Sequence, residues 1–314
     1  MACSRGPVVT FVAAGPAGLR SPLVERATVS AGDLEFATLA TGPDDGPLAL
    51  CLHGFPDTAH TWRHLLPRLA AAGHRAVAPF TRGYAPTSVP ADGVFQTGAL
   101  AADANALHDA LGADDRAVLV GHDWGALSVY GAAGAEPDRW RAVVGLAVPP
   151  GEALGQAFLT NLDQLQRSWY MFLFQHPLAD LLVPAGEHAL LARLWAQWSP
   201  GYDAAVDVAH VREALAEPEH VHAALGYYRA TLGDGPRDAR YDTTQAATTA
   251  FPPQPTLYLH GADDGCIGVE VAAAAFATAP AHAEFATVDD AGHFLHLEQP
   301  DRVNDRIVDF LGAP

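Results

Sequence analysis

The chain has 314 residues, enough for one α/β core with an insertion, and carries 36 acidic against 18 basic side chains, a formal net charge of -18. Because every basic residue is arginine, Schiff-base and phosphate-loop lysine chemistry is excluded, and the acidic surplus makes nucleic acid, anionic membranes and anionic substrates poor partners. The three cysteines are odd in number and far apart, which predicts reduced thiols and a cytoplasmic location.

The N-terminal part of the chain predicts an extension followed by a hairpin. Residues 1–22 hold one short apolar patch with no clear signal-peptidase site after it, so we expect a flexible extension. Segments 27–30 and 35–40 favour strands on either side of Gly32, which predicts an opening hairpin. No apolar run is long enough to span a bilayer.

Short, unbroken apolar runs recur along the chain and predict buried strands. They alternate with helix patterns, including 57–70 and 299–311, which is typical of a doubly wound, mostly parallel α/β sheet. The predicted strands are Leu48–Leu52, Arg75–Pro79, Ala117–Val120, Ala142–Val148, Thr256–Leu259 and Glu284–Val288.

The pattern changes between two of these strands. Residues 150–234 have almost only helix patterns and are rich in aromatic side chains, which predicts a helical cap inserted into the sheet. Pro252–Pro255 marks the return to the core. The predicted core domain is therefore 23–149 together with 235–314.

The segment Val118–Ala126 carries the most specific motif. An apolar run ends at Gly121, presents Asp123 and resumes after Gly125, the glycine spacing of a nucleophile elbow. A carboxylate is already a nucleophile at neutral pH, but its attack on a saturated carbon leaves an ester, so hydrolysis requires a water-activating histidine elsewhere. The alternative is that Asp123 is an ordinary helix N-cap.

Two backbone N–H groups are candidates for an oxyanion hole. His53–Pro56 follows a predicted strand, so the N–H of Phe55 can face the site. The second donor is the N–H of Trp124, the residue after the elbow carboxylate.

A base and an acid are predicted after the last two strands. His293 lies in a loop after the final strand, where it can overhang the edge of the sheet. The spacing from Gly261 favours Asp264 over its neighbour Asp263 as the orienting acid, although the choice stays open. His293, His296 and Glu298 could also be read as metal ligands, but no third histidine has suitable spacing, so no metal is predicted.

Together these motifs resemble the epoxide hydrolase branch of the α/β-hydrolase superfamily over residues 25–314. The resemblance implies an α/β-hydrolase fold with a helical cap and no cofactor. It also implies a triad in which Asp123 is the nucleophile, His293 activates water, and Asp264 orients His293.

The same family uses two cap tyrosines to bind and protonate the epoxide oxygen. Tyr170 matches the first pattern, Tyr-x-x-x-Phe-Gln, and Tyr228 matches the second, which precedes an arginine. Helical periodicity independently places Tyr228, but not Tyr227, on the apolar stripe. The alternative is that both tyrosines only pack the cap.

One turn departs from the superfamily pattern. The usual Asp-x-Arg-Gly appears as Phe80–Gly83, without its acid, and we interpret Arg82 as structural.

The function hypothesis is cofactor-independent hydrolysis of a small apolar epoxide to a vicinal diol, with Phe55, Trp124 and the two tyrosines contacting the substrate. The first alternative is a haloalkane or haloacid dehalogenase, because an indole after the nucleophile fits a halide, although Phe55 has no side-chain halide donor. The second is a non-catalytic ligand-binding protein on the same fold.

Overall fold

A computed structural model of the chain describes residues 10–11, 24–150 and 152–312. The predicted N-terminal extension falls outside the described residues, except for the two residues 10–11, whose backbone pairs with the next strand. A search of the described residues found no helix with the length and apolar character required to cross a bilayer.

One sheet contains the nine strands of the described residues. They are β1 (Thr10–Phe11), β2 (Glu25–Ala31), β3 (Leu34–Thr41), β4 (Leu48–Leu52), β5 (Arg75–Pro79), β6 (Val118–His122), β7 (Ala142–Leu146), β8 (Thr256–Gly261) and β9 (Ala283–Val288). The spatial order is β1-β2-β3-β5-β4-β6-β7-β8-β9. Pairing is antiparallel from β1 to β5 and parallel from β5 to β9, which confirms the predicted mostly parallel sheet.

The helices of the described residues alternate with the strands or lie between β7 and β8. They are α1 (Leu65–Ala71), α2 (Thr97–Ala110), α3 (Trp124–Ala135), α4 (Glu152–Thr160), α5 (Leu162–Arg167), α6 (Trp169–Leu173), α7 (Ala179–Leu182), α8 (Ala185–Trp198), α9 (Ala205–Ala214), α10 (Pro218–Leu232), α11 (Asp242–Ala247), α12 (Val269–Phe276), α13 (Leu295–Glu298) and α14 (Pro300–Leu311). Short 3-10 helices cover Ala59–Arg63, Pro137–Arg139 and Ala239–Tyr241.

The centre of the sheet forms the core. Every residue of β4, β6, β7 and β8 is buried, as the unbroken apolar runs predict. Helix α3 contacts β4, β6 and β7, while α1 contacts β3, β5 and α14. Because burial fixes these strands on both faces, the loops at their carboxyl ends start from a rigid base.

Several boundaries differ from the predictions, two of them for a clear physical reason. The helix predicted over 57–70 is divided into a 3-10 helix and α1, because Pro67 lacks the N–H that would continue a helix and is tolerated only in a first turn. The strand predicted to reach Val148 ends at Leu146, because Ala147 has a left-handed φ of 66°.

Helices α4 to α10 fill the chain between β7 and α11. Helix α11 packs against α2 and α3, so by this point the chain has returned to the core. The inserted helices cover the carboxyl ends of the strands: Trp195 Nε1 donates to the carbonyl of Pro56 at 2.8 Å, and the carbonyl of Trp198 accepts from the N–H of Gly265 at 3.1 Å. The division into a core and a cap at 150–234 stays a prediction.

Candidate active site

Asp123 occupies the sharp turn between β6 and α3. Its φ of 55° and ψ of -121° are rare for a residue with a side chain, although aspartate and asparagine tolerate positive φ better than most. A Cβ at Gly125 would overlap the carbonyl oxygen of Leu52, so the glycine permits a close approach of two backbones. The carboxylate makes no capping hydrogen bond to α3, which counts against an ordinary N-cap.

A backbone N–H group holds this carboxylate in place. The N–H of Phe55 donates to Oδ1 of Asp123 at 2.7 Å. A Cβ at Gly54 would overlap the same oxygen, so the loop after β4 approaches the elbow without an intervening side chain. Trp124 is the first residue of α3, so its N–H has no acceptor within the helix.

His293 lies between two carboxylates. Its Nδ1 is 2.9 Å from Oδ2 of Asp264, and its Nε2 is 3.6 Å from Oδ2 of Asp123. The other oxygen of Asp264 accepts from the N–H groups of Cys266 at 2.7 Å and Ile267 at 2.9 Å, which fixes this side chain. Asp263, in contrast, is exposed, so the structure brings Asp264 and not Asp263 against His293.

Asp264 and Asp123 both favour the charged form of the His293 imidazole. Burial alone would lower the pKa of His293, but the carboxylates of Asp264 and Asp123 outweigh it and raise the pKa from 6.5 to about 10. Burial works against ionisation of Asp264 as well, yet His293 and the backbone donors hold the pKa of Asp264 below its usual value. The resting site therefore contains an imidazolium paired with carboxylates.

Two phenols from the inserted helices face this site. The rings of Tyr170 on α6 and Tyr228 on α10 are buried, with centroids 5.7 Å apart. Burial raises the pKa of both hydroxyls well above the usual value, so both are neutral proton donors. Tyr170 Oη is 3.4 Å from Sγ of Cys266, whereas Tyr228 Oη has no hydrogen-bond partner among the described residues.

Tyr227 has a different environment from its neighbour. Its hydroxyl donates to the carbonyl of Arg82 at 2.6 Å and is thereby held away from the elbow. The sequence places Tyr228, but not Tyr227, on the apolar stripe of the helix. In the structure the two hydroxyls likewise lie in different environments.

A cavity of about 220 Å³ lies between the Asp123 carboxylate and the two phenols. Asp123, Trp124, Tyr170, Tyr228 and Cys266 line it, and the remaining lining is largely apolar. A larger groove of about 490 Å³ near α4 and α12 holds none of the converging groups.

Arg82 has a structural environment. It is buried and forms a two-pronged ion pair with Asp103, each contact 2.6 Å long, while its Nη1 donates to the carbonyl of Val94 at 2.7 Å. An acid from α2 therefore faces this arginine, which supports the interpretation of Arg82 as structural.

Two contacts at the site were not predicted. The carbonyl of Trp198 accepts from the N–H of His293 at 3.0 Å, and the thiol of Cys266 meets Tyr170. No local sequence pattern reveals either contact, because each joins segments that lie far apart along the chain.

The metal ligand set weighed from the sequence is not brought together. The carboxylate of Glu298 accepts from Ser199 Oγ at 2.6 Å and from the N–H of Gly292 at 2.9 Å, and it does not join His293 and His296. Other groups of ligand-type side chains do converge in the described part of the chain. They are Asp264, Cys266 and His293, and Asp57, His122 and His296.

The chain is similar to known proteins over most of its length. The sequence model of the alpha/beta hydrolase fold family matches residues 47–300. An epoxide hydrolase of Caballeronia sordidicola is 32% identical over 85% of this chain and 88% of its own length. Epoxide hydrolase A of Mycobacterium tuberculosis is 29% identical over 90% of this chain and 96% of its own. The crystal structure of epoxide hydrolase A from Mycobacterium thermoresistibile superposes with a TM-score of 0.72 at 27% identity and covers 92% of this chain and 98% of that one.

Proposed function

The chain belongs to the epoxide hydrolase branch of the α/β-hydrolase superfamily, and we propose that it converts a small apolar epoxide to a vicinal diol through an ester on Asp123. The observation that carries the proposal is the position of the carboxylate. One oxygen of Asp123 accepts from Phe55, the other faces His293, and the cavity beyond it is lined by Tyr170 and Tyr228.

The first step is alkylation of the carboxylate. Because Oδ1 of Asp123 is held by the N–H of Phe55, Oδ2 is the oxygen free to attack a ring carbon. The bond from that carbon to the epoxide oxygen breaks, and a phenol proton from Tyr170 or Tyr228 neutralises the alkoxide. The phenolate left behind takes up the proton that the imidazolium of His293 releases once Asp123 is esterified, so His293 is neutral before the second step. Neutral phenols suit this role, since each can donate a hydrogen bond before the ring opens.

The second step is hydrolysis of the ester. His293 takes a proton from water, and the hydroxide attacks the carbonyl carbon of the alkylated Asp123 while the oxyanion accepts from the N–H groups of Phe55 and Trp124. The bond between the carbonyl carbon and the diol oxygen then breaks, and that oxygen takes the proton that His293 removed from water. The carboxyl group of Asp123 gives its own proton to His293, which restores the resting carboxylate and imidazolium. Alkylation removes the charge of Asp123, one of the causes that raise the pKa of His293, so the ester itself favours the neutral base.

A matched pair of substitutions tests the proton donor. We expect Tyr228→Phe to lower kcat/KM for an epoxide by about 10²-fold, because one of the two donors to the ring oxygen is lost. Tyr227→Phe, on the adjacent residue, should stay close to the wild-type value, since its hydroxyl bonds the carbonyl of Arg82. Equal losses in the two variants would show that these tyrosines only pack the cap.

One observation favours dehalogenation as a second candidate. The indole Nε1 of Trp124 is buried beside Asp123 and lacks a hydrogen-bond partner within the described part of the chain, as a halide donor would. The phenols have no function in that reaction, because a halide leaves without a proton.

A substrate panel separates the candidates. Aliphatic, terpenoid and aryl epoxides are assayed for diol by mass spectrometry, and matched haloalkanes and haloacids are assayed for released halide. Diol without halide is the expected result, and halide without diol would replace the proposed reaction by dehalogenation. Turnover of no substrate would favour a ligand-binding protein. A cytoplasmic location and a lack of nucleic-acid and membrane partners stay predictions from composition.

A further inference from the structure

A second group of polar side chains lies buried beside the active site. Asp57 lies in the loop after β4, His122 ends β6, and His296 lies in α13. A carboxylate oxygen of Asp57 and one ring nitrogen of each histidine all lie within 4.8 Å of one another. The three residues are at most 2% exposed, so bulk water does not solvate these atoms.

The partner of His122 fixes its tautomer. Nε2 of His122 is 2.9 Å from the carbonyl oxygen of His293. A carbonyl only accepts, so Nε2 must carry the hydrogen and Nδ1 is a bare lone pair. Among the described residues, this Nδ1 has no hydrogen-bond partner.

Asp57 and His296 present similar atoms. Oδ1 of Asp57 accepts from the N–H of Thr58 at 2.7 Å, while Oδ2 has no partner within the described part of the chain. Nε2 of His296 is 2.6 Å from the hydroxyl oxygen of Thr61, and its Nδ1 is likewise unpartnered there. When Nε2 of His296 donates to Thr61 and Asp57 is ionised, the cluster presents two imidazole lone pairs and a carboxylate oxygen.

We propose that Asp57, His122 and His296 form a binding site for a divalent transition metal of the zinc class. Two imidazoles and a carboxylate are a common ligand set for Zn²⁺, and three protein ligands leave one tetrahedral position for water. In both histidines the ring nitrogen that would not bind the metal, Nε2, contacts a carbonyl or a hydroxyl. Metal-bound histidines usually make such a contact through their other ring nitrogen.

This site is separate from the groups proposed to react with the epoxide. None of its ligands lines the cavity that holds Asp123, and its one direct hydrogen bond to a proposed triad residue is from His122 to the backbone of His293. Metal binding is therefore measurable without substrate, and its outcome does not depend on whether the chain hydrolyses epoxides.

The test uses the full chain, stripped with a chelator and dialysed. Zn²⁺ is titrated by calorimetry, and Co²⁺ is titrated by its visible absorption, which reports the coordination geometry. We expect about one metal per chain. The visible absorption of bound Co²⁺ should be that of an ion with fewer than six ligands, imidazoles among them. His296→Gln and Asp57→Asn should each weaken binding by at least about 100-fold. The control, His176→Gln, removes an exposed histidine and should bind like the wild type.

Circular dichroism establishes that each variant is folded before it is titrated. If a variant does not fold, the wild-type stoichiometry and Co²⁺ spectrum still decide the matter. Binding well below one metal per chain, or equal affinity in His296→Gln and the wild type, would overturn the proposal. The first result would indicate that the cluster holds only water, and the second that metal binds elsewhere, at Asp264, Cys266 and His293 or at surface histidines.

Discussion

Asp123→Asn is expected to lower kcat for epoxide hydrolysis by at least about 10⁴-fold, because a carboxamide is too weak a nucleophile to open the ring. The fold should survive the change. Asparagine tolerates the positive φ of 55° at this position, and its carbonyl oxygen can accept the N–H of Phe55 in place of Oδ1. Turnover is measured by diol formation, and folding by circular dichroism.

The control is Asp263, the exposed aspartate next to Asp264. Asp263→Asn removes one negative charge beside the proposed orienting acid but touches none of the reacting groups, so its kcat should match the wild type. If Asp123→Asn kept most of its activity while folded, the carboxylate would not be the nucleophile.

His293→Gln is expected to divide the reaction into its two halves. Ring opening needs only the carboxylate of Asp123 and the phenols, so the enzyme should still be alkylated to about one equivalent. Hydrolysis of the ester should slow by at least about 10³-fold, because no base remains to activate water. Rapid quenching followed by intact-protein mass spectrometry should show the chain heavier by the mass of the epoxide.

The partner of His293 provides a graded comparison. Asp264→Asn keeps His293 but removes the charge that orients it. The ester on Asp123 should therefore accumulate in this variant too. A folded His293→Gln variant that turned over normally, or that formed neither ester nor diol, would contradict the assigned role of this histidine.

The strand pattern explains why so much of the site was predictable. Asp123, Asp264 and His293 each follow a strand of the parallel part of the sheet, and the carboxyl ends of such strands meet at one edge. An apolar run ending at a polar residue therefore indicates both the strand and the position of that residue. The choice of Tyr228 over Tyr227 was possible for a related reason, because helical periodicity places adjacent side chains on different faces of the helix. Both side chains are buried, but only that of Tyr228 lines the cavity.

Contacts between distant segments could not be predicted. The cluster of Asp57, His122 and His296 joins three segments, and the spacing of its members in the sequence resembles no metal motif. The hydrogen bond from His293 to the carbonyl of Trp198 depends on how an inserted helix crosses the sheet, which local patterns do not encode.

A single turnover in ¹⁸O-water tests the central claim, a covalent ester on Asp123, most directly. With enzyme in excess over epoxide, water attacks the carbonyl carbon of the ester, so the label enters the carboxylate and the diol keeps an unlabelled carboxylate oxygen. The account predicts that peptide mass analysis finds ¹⁸O in the fragment containing Asp123 and none in the first diol released. Label in the diol, with the Asp123 peptide unlabelled, would mean that water attacks the epoxide directly.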